Sequence, residues 1–382
     1  MQYQYITQTQ QLAEFCLLLQ QADWLAIDTE FVRKDTYYPK LSLIQIQSSL
    51  GDAAIIDPLA FDSNAQLEPL WQVLDSPKTL KVFHSARQDL EVLYQVAGRL
   101  PQSIFDTQIA AVFLGYGDLV GLAKIVEAEL GSQLPKDQTR TNWHQRPLTE
   151  EQLAYAFDDV DYLAPLYQKM IKQLSAEQLD ALQTDFAGLL NEHLYQIAPE
   201  CAGDKLKAAQ NLKPKAKAIC YALAEWREAH AQKHNKPRRW ALSDDVLIAI
   251  AKRPPKTVQA LYKVPHIKAS SVKTHGEEWI TLIDEIFAHP ERWPEKTPVE
   301  SAPNPQEDIL LNLALTFCQQ IALDYHVQLT SIGAKTQLLQ LIRSPESQHF
   351  IGWRHILVEA PLKKIFHTQG CLKVNNGKLL FP

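Results

Sequence analysis

No stretch of this 382-residue chain approaches the ~20 consecutive apolar residues that a membrane span needs. The N-terminus, MQYQYITQTQ, has neither the basic start nor the apolar run of a secretory signal. The five cysteines (Cys16, Cys201, Cys220, Cys318 and Cys371) are scattered, odd in number and without a CxxC pair. That pattern excludes a zinc-finger site or a disulfide frame and reads as reduced thiols in a cytoplasmic protein. No coiled-coil heptad or extended exposed apolar stripe asks for an oligomer, so a monomer is expected. What is present, 46% hydrophobic and 21% charged residues, describes an ordinary soluble globular protein. At this length it should divide into two or three domains.

Charge is unevenly shared. Residues 1–200 carry 13 Lys and Arg against 27 Asp and Glu, a balance of −14, whereas residues 201–382 carry 25 against 17, a balance of +8. An acidic half joined to a basic half suits a metal-rich catalytic head with a tail that holds a polyanion. Acidic and basic domains also coexist without such a division of labour, so the motifs must decide.

Four runs in the first half read as strands: WLAID (24–28), LSLIQIQ (41–47), AAIID (53–57) and KVFHS (81–85). Helical periodicity follows at roughly 86–97, 105–114, 119–130 and from Thr149 to about Leu174. Thr149 with Gln152 forms a capping box for the last of these. The expectation is an α/β domain, a mixed sheet with flanking helices. From about residue 176 no strand is evident, and helices alternate with basic, proline-bearing loops (LKPKAK, NKPRRW, KRPPK). The run HPERWPEKTPVESAPNPQED looks like a linker.

Three short segments carry the chemistry. Asp28 and Glu30 lie at i and i+2 on a strand, so both face one side, at the end of an apolar run where unpaired carboxylates are costly. Asp89 lies near the start of a helix, where the helix dipole alone would account for it. Tyr155 and Asp159 lie at i and i+4 on the long helix. Four converging carboxylates suit two hard divalent cations, the equipment of phosphodiester cleavage. A tyrosine ordinarily ionises near pH ~10, so Tyr155 is better suited to orienting the attacking water than to acting as a bulk base. Asp158 competes with Asp159 as a ligand, Asp161 points elsewhere, and Asp106 reads as a structural acceptor or helix cap.

In order, these motifs resemble the tyrosine branch of the DEDD exonuclease superfamily; the histidine branch would carry its histidine where Ala154 stands. DTEFVRKDTYYPKLSLIQIQ, HSARQDLEVL, FDTQIAA and TRTNWHQRPLTEEQLAYAFDDVDYL closely resemble the bacterial ribonuclease D family, with a departure at Phe157-Asp158. The resemblance implies an RNase H-like fold with Asp28, Glu30, Asp89 and Asp159 as ligands for two Mg²⁺ or Mn²⁺ ions and Tyr155 as the water-orienting residue. It also implies 3′-to-5′ exoribonuclease action on RNA with a free 3′ end, above all transfer-RNA precursors. Residues 210–290 resemble the HRDC helical module, a nucleic-acid or interaction domain. Residues 204–290 hold 16 Lys and Arg against 9 Asp and Glu. Arg238, Arg239, Lys252, Arg253 and Lys256 fall in its loops, within reach of phosphates. The expected division is 1–200 exonuclease, 204–290 first HRDC-like domain, 291–308 linker and 309–382 a second, diverged HRDC-like domain.

Further substrate contacts are expected from Thr29, from Phe31 beside the metal site as a wedge against the terminal base, from His84 as a phosphate donor, and from Arg140. Arg140 and Trp143 either close over the substrate strand or anchor their loop. Rival readings are a DNA 3′-to-5′ exonuclease, an RNase H-like endonuclease, and a catalytically inactive nucleic-acid-binding scaffold.

Overall fold

The computed structural model describes residues 3–135, 141–295, 301–367, 373–375 and 378–380; Arg140 and Cys371 lie outside them. The chain divides into two units. Met1–Val32, Leu41–Asn191 and Ser301–Pro382 form the first, and Arg33–Lys40 with Glu192–Glu300 the second.

The first unit begins with β1 (Gln4–Ile6), α1 (Thr9–Leu19), β2 (Trp24–Val32), β3 (Lys40–Ser48), β4 (Ala53–Ile56), α2 (Glu68–Asp75), β5 (Leu80–Phe83) and α3 (Arg87–Ala97). It continues with β6 (Ile104–Asp106), α4 (Thr107–Ala110), α5 (Leu122–Leu130), α6 (Glu150–Gln173) and α7 (Ala176–Leu189). The strands form one sheet in the order β1-β4-β3-β2-β5-β6. β3 and β4 run antiparallel, while β1 with β4, β2 with β5, and β5 with β6 run parallel. This mixed sheet with flanking helices is the expected α/β fold. Its central strands are covered on both faces, which is why Leu25, Ala26 and Ile27 of β2 and Leu43, Ile44 and Ile46 of β3 form nearly continuous apolar runs. The long helix α6 packs on β2, β4 and β5. It starts where its capping box places it: Thr149 Oγ1 accepts from Gln152 N at 3.2 Å, and Gln152 Oε1 accepts from Thr149 N at 2.9 Å.

The structure departs from the sequence expectations in three places. β1 and β6, three residues each, pair at the sheet's edges and were too short to announce themselves. The helix expected at 105–114 is instead the end of β6 followed by the four-residue α4.

The second unit is helical, with α8 (Pro214–His234), α9 (Arg238–Ala241), α10 (Asp244–Lys252), α11 (Val258–Leu261) and α12 (Ala269–Ala288). They enclose a core of Cys220, Leu223, Leu247, Ile250, Leu261 and Trp279. Residues 33–40 belong here: the Tyr37 hydroxyl donates to Glu228, and Asn235 Oδ1 accepts from both Tyr37 N and Tyr38 N at 3.0 Å.

The chain then returns to the first unit with α13 (Pro305–Asp324), α14 (Leu329–Ile332), α15 (Lys335–Arg343), α16 (Ala360–His367), and a third departure, a hairpin of β7 (Lys373–Asn375) and β8 (Lys378–Leu380). This segment, read from the sequence as a second, diverged HRDC-like domain, falls in the same unit as the sheet. Asp185 of α7 accepts from Trp353 N at 2.8 Å, His326 Nδ1 bonds Gly115 O at 2.8 Å, and Asp118 accepts from Gln328 N at 3.1 Å. Among the described residues no helix is long and apolar enough to cross a membrane.

Candidate active site

β2 delivers Asp28 and Glu30 to the face covered by α6, and the i, i+4 spacing on α6 brings Tyr155 and Asp159 to the same side of that helix. One carboxylate oxygen from each of Asp28, Glu30 and Asp159 lies within 4.8 Å of the other two. Asp158 is not in this group.

Asp89 is placed beside the trio rather than in it. It is buried in the first turn of α3, where its Oδ1 accepts from Thr29 Oγ1 at 2.6 Å. The turn leading into α3 is held by Asp106. Its carboxylate accepts from Ser85 N at 2.9 Å, Ala86 N at 2.8 Å and Gln108 N at 2.8 Å. Ser85 sits at φ 64°, a left-handed conformation that a serine adopts only at a cost and that these bonds offset. Asp106 is thus the structural acceptor and cap its sequence position suggested.

The electrostatics follow from crowding. Burial pushes Asp28 well above the ordinary carboxylate range, and the charges of Asp159, Asp89 and Glu30 push it further. Burial, with Asp159 and Asp89, raises Glu30 to about 9, against which a hydrogen bond from Trp143 favours the carboxylate. Burial and Asp158 raise Asp159 to about 7, and burial raises Asp89 to about 7 against the Thr29 hydrogen bond. Carboxylates so placed are at odds with one another unless protons or cations intervene. Their donor set is all oxygen, without imidazole or thiolate, and fits hard divalent ions.

Trp143 is the residue whose role sequence reasoning left open. It is buried, donates to Glu30, and lies 6.1 Å from the Tyr155 ring, centroid to centroid. Its loop is pinned by Arg146, which bonds Asp57 in a fork (Nε–Oδ2 2.5 Å, Nη2–Oδ1 2.7 Å) and reaches Ser42 O at 2.8 Å and Trp143 O at 2.7 Å. The aromatic between two basic residues just ahead of α6 was the only sequence signal, and it marks an anchored loop.

Two expected substrate contacts are corrected. Both ring nitrogens of His84 are engaged within the chain, Nδ1 with Thr107 Oγ1 and Nε2 with Val120 O, each at 2.9 Å, so neither is directed at a phosphate. Burial also pushes His84 below its ordinary value, toward the neutral form. The Thr29 hydroxyl is spent on Asp89. Strand alternation places Phe31, half-buried, with Thr29 rather than with the two acids.

Comparison with known proteins agrees with this geometry. Residues 3–175 match the family model described as 3′-5′ exonuclease, and residues 216–283 match the HRDC domain. A ribonuclease D of Pseudomonas paraeruginosa is 36% identical over 299 residues, covering 77% of this chain and 78% of the relative. One from Nitrobacter hamburgensis is 31% identical over 380 residues and 98% of both chains. The crystal structure of Escherichia coli RNase D, described as an exoribonuclease involved in structured RNA processing, superposes with a TM-score of 0.77 at 29% identity, over 97% of this chain and 100% of that one.

Proposed function

The chain belongs to the ribonuclease D family of metal-dependent 3′-to-5′ exoribonucleases, and from that premise we propose that it trims transfer-RNA precursors at their 3′ ends, releasing nucleoside 5′-monophosphates. The cluster of Asp28, Glu30 and Asp159, one helical turn from Tyr155, carries the reading. The three would hold divalent cations, Mg²⁺ or Mn²⁺, with Asp89 completing the set. Such ions lower the pKa of water and neutralise charge that develops on the leaving 3′ oxygen.

The chain's own groups do the positioning. Tyr155 orients the attacking water through its hydroxyl, Trp143 fixes the Glu30 carboxylate, and Thr29 fixes Asp89. Arg140 is proposed, from its place in the sequence, as a contact to the substrate strand. The transfer-RNA assignment draws on the structured-RNA processing described for the Escherichia coli relative, and the enzyme is proposed to act as a cytoplasmic monomer.

Digestion of RNA labelled at either end tests this. The expected result is stepwise loss from the 3′ end with Mn²⁺ or Mg²⁺, arrest by EDTA, an intact circular RNA, and faster turnover of RNA than of matched DNA. Asp28→Asn should stop turnover while leaving RNA bound. A cleaved circle, or unchanged turnover by Asp28→Asn, would defeat the reading.

A further inference from the structure

Asp57 follows directly on β4 and lies in none of the motifs that mark the site, yet it is 3% exposed and an ion pair is built on it. Its Oδ2 accepts from the Tyr5 hydroxyl at 2.6 Å and from Arg146 Nε at 2.5 Å. Its Oδ1 accepts from Leu59 N at 3.1 Å and from Arg146 Nη2 at 2.7 Å. Arg146 is used just as fully. Two of its N–H groups form the fork on Asp57, and the others reach Ser42 O at 2.8 Å, Trp143 O at 2.7 Å and Gln145 O at 2.7 Å. The same loop has two further stitches. Ser42 Oγ bonds His144 Nδ1 at 2.7 Å, and Gln152 Nε2 donates to Thr141 Oγ1 at 2.7 Å.

We propose that Asp57 is a positioning residue for metal binding: through the Arg146 fork it fixes the backbone of Trp143, and through Trp143 it fixes the Glu30 carboxylate. The proposal rests on the metal-dependent exoribonuclease reading for the role of Glu30. Two plainer accounts fall short. Asp57 caps the 3₁₀ turn at Pro58–Ala60, but that cap accounts for one of its four bonds, the one from Leu59 N. Nor is stability alone a sufficient reason, because desolvation offsets much of the attraction in a buried ion pair. What a two-pronged guanidinium–carboxylate pair supplies is direction. Here the direction falls on the segment that brings an N–H to Glu30 and sets a ring 6.1 Å from that of Tyr155. The charges of Asp159 and Asp89 oppose the ionisation of Glu30, so its carboxylate needs a fixed donor to stay aimed at a cation.

The test is Mn²⁺ binding to the full chain, followed through the electron paramagnetic resonance signal of free Mn²⁺, with no nucleic acid present. Asp57→Asn should weaken binding about tenfold or more. Arg146→Lys keeps the charge but loses the fork, and should weaken it equally. Added to Trp143→Phe, either substitution should weaken binding by less than about twofold more, because the residues act along one path. Leu12→Ala opens a cavity in the core of the same unit, and should lower the melting midpoint while Mn²⁺ affinity stays within about twofold of wild type. Wild-type affinity in Arg146→Lys would mean that charge alone matters and would overturn the proposal. So would full additivity with Trp143→Phe, or a loss of affinity in Leu12→Ala as large as in Asp57→Asn, which would mark general loosening of the fold. If Asp57→Asn fails to fold, Arg146→Lys and its combination with Trp143→Phe decide. Hydrolysis of the p-nitrophenyl ester of thymidine 5′-monophosphate by the wild-type chain with Mn²⁺ reports the exonuclease chemistry separately. Its absence would bring down the catalytic reading while the binding cycle still decides the role of Asp57.

Discussion

Asp28, Glu30, Asp89 and Asp159 keep their protons to unusually high pH when no cation is present, and this couples the site to stability. Glu30 at about 9 and Asp89 and Asp159 at about 7 lie above the values of an unfolded chain. The folded chain therefore binds more protons than the unfolded one. These groups cost nothing below the ordinary carboxylate range, and stability is lost as pH rises through about 7 toward 9. A thermal melt in EDTA should accordingly fall from pH 6 to pH 8, and Mn²⁺ should raise the midpoint more at pH 8 than at pH 6. An EDTA melt that rises over that interval would contradict the assignment. At the same scale, Trp143→Phe keeps a ring against Tyr155 but removes the donor to Glu30. The expected effect is a 10–100-fold rise in the metal concentration needed for half-maximal rate, in line with the loss of a group that orients a ligand.

Elements show how a remote side chain governs a reactive one. Asp106 closes the turn between β5 and α3, and α3 carries Asp89. Asp106→Ala abandons three backbone donors and the left-handed Ser85, so a cost of about 3 kcal/mol in a denaturant titration is expected, with a fall in kcat. Asp106→Asn, which keeps acceptor capacity, should recover part of both. The strands β2, β3, β4 and β5 were legible because burial writes runs and alternations into the sequence, and the cap of α6 was legible because it is local. β1, β6 and the β7–β8 hairpin were not, since three residues define no period and their partners lie elsewhere. The same division holds in the site. Asp28-x-Glu30 and Tyr155-x-x-x-Asp159 are spacings along one element, whereas Thr29 to Asp89 and Trp143 to Glu30 join segments far apart in the chain. Arg238, expected within reach of phosphates, pairs with Glu228 and donates to Tyr37, and Tyr37 is the partner that arrives from a distant segment, residues 33–40.

For the molecule as a whole, the last helices are part of the unit that holds the acids. Gly352 shows how closely: it sits at φ 58°, and a Cβ there would collide with the Asp185 carboxylate that receives Trp353 N. Gly352→Ala is expected to cost about 2–4 kcal/mol, from the left-handed backbone and the displaced carboxylate together. If residues 301–382 were an independent appendage, that substitution would lower only a separate melting step; as part of the unit, it should lower the transition that reports the sheet.

The covalent path crosses between the two units four times, and the first unit is finished by its most C-terminal piece. All the acids of the site precede residue 160. A ribosome therefore releases every reactive group early, while the helices that seat against α7 and the loop at 115–118 emerge later. A nascent chain that lacks these helices carries the chemistry without its completed support, so full nuclease competence should arrive only once residues 301–367 have been synthesised.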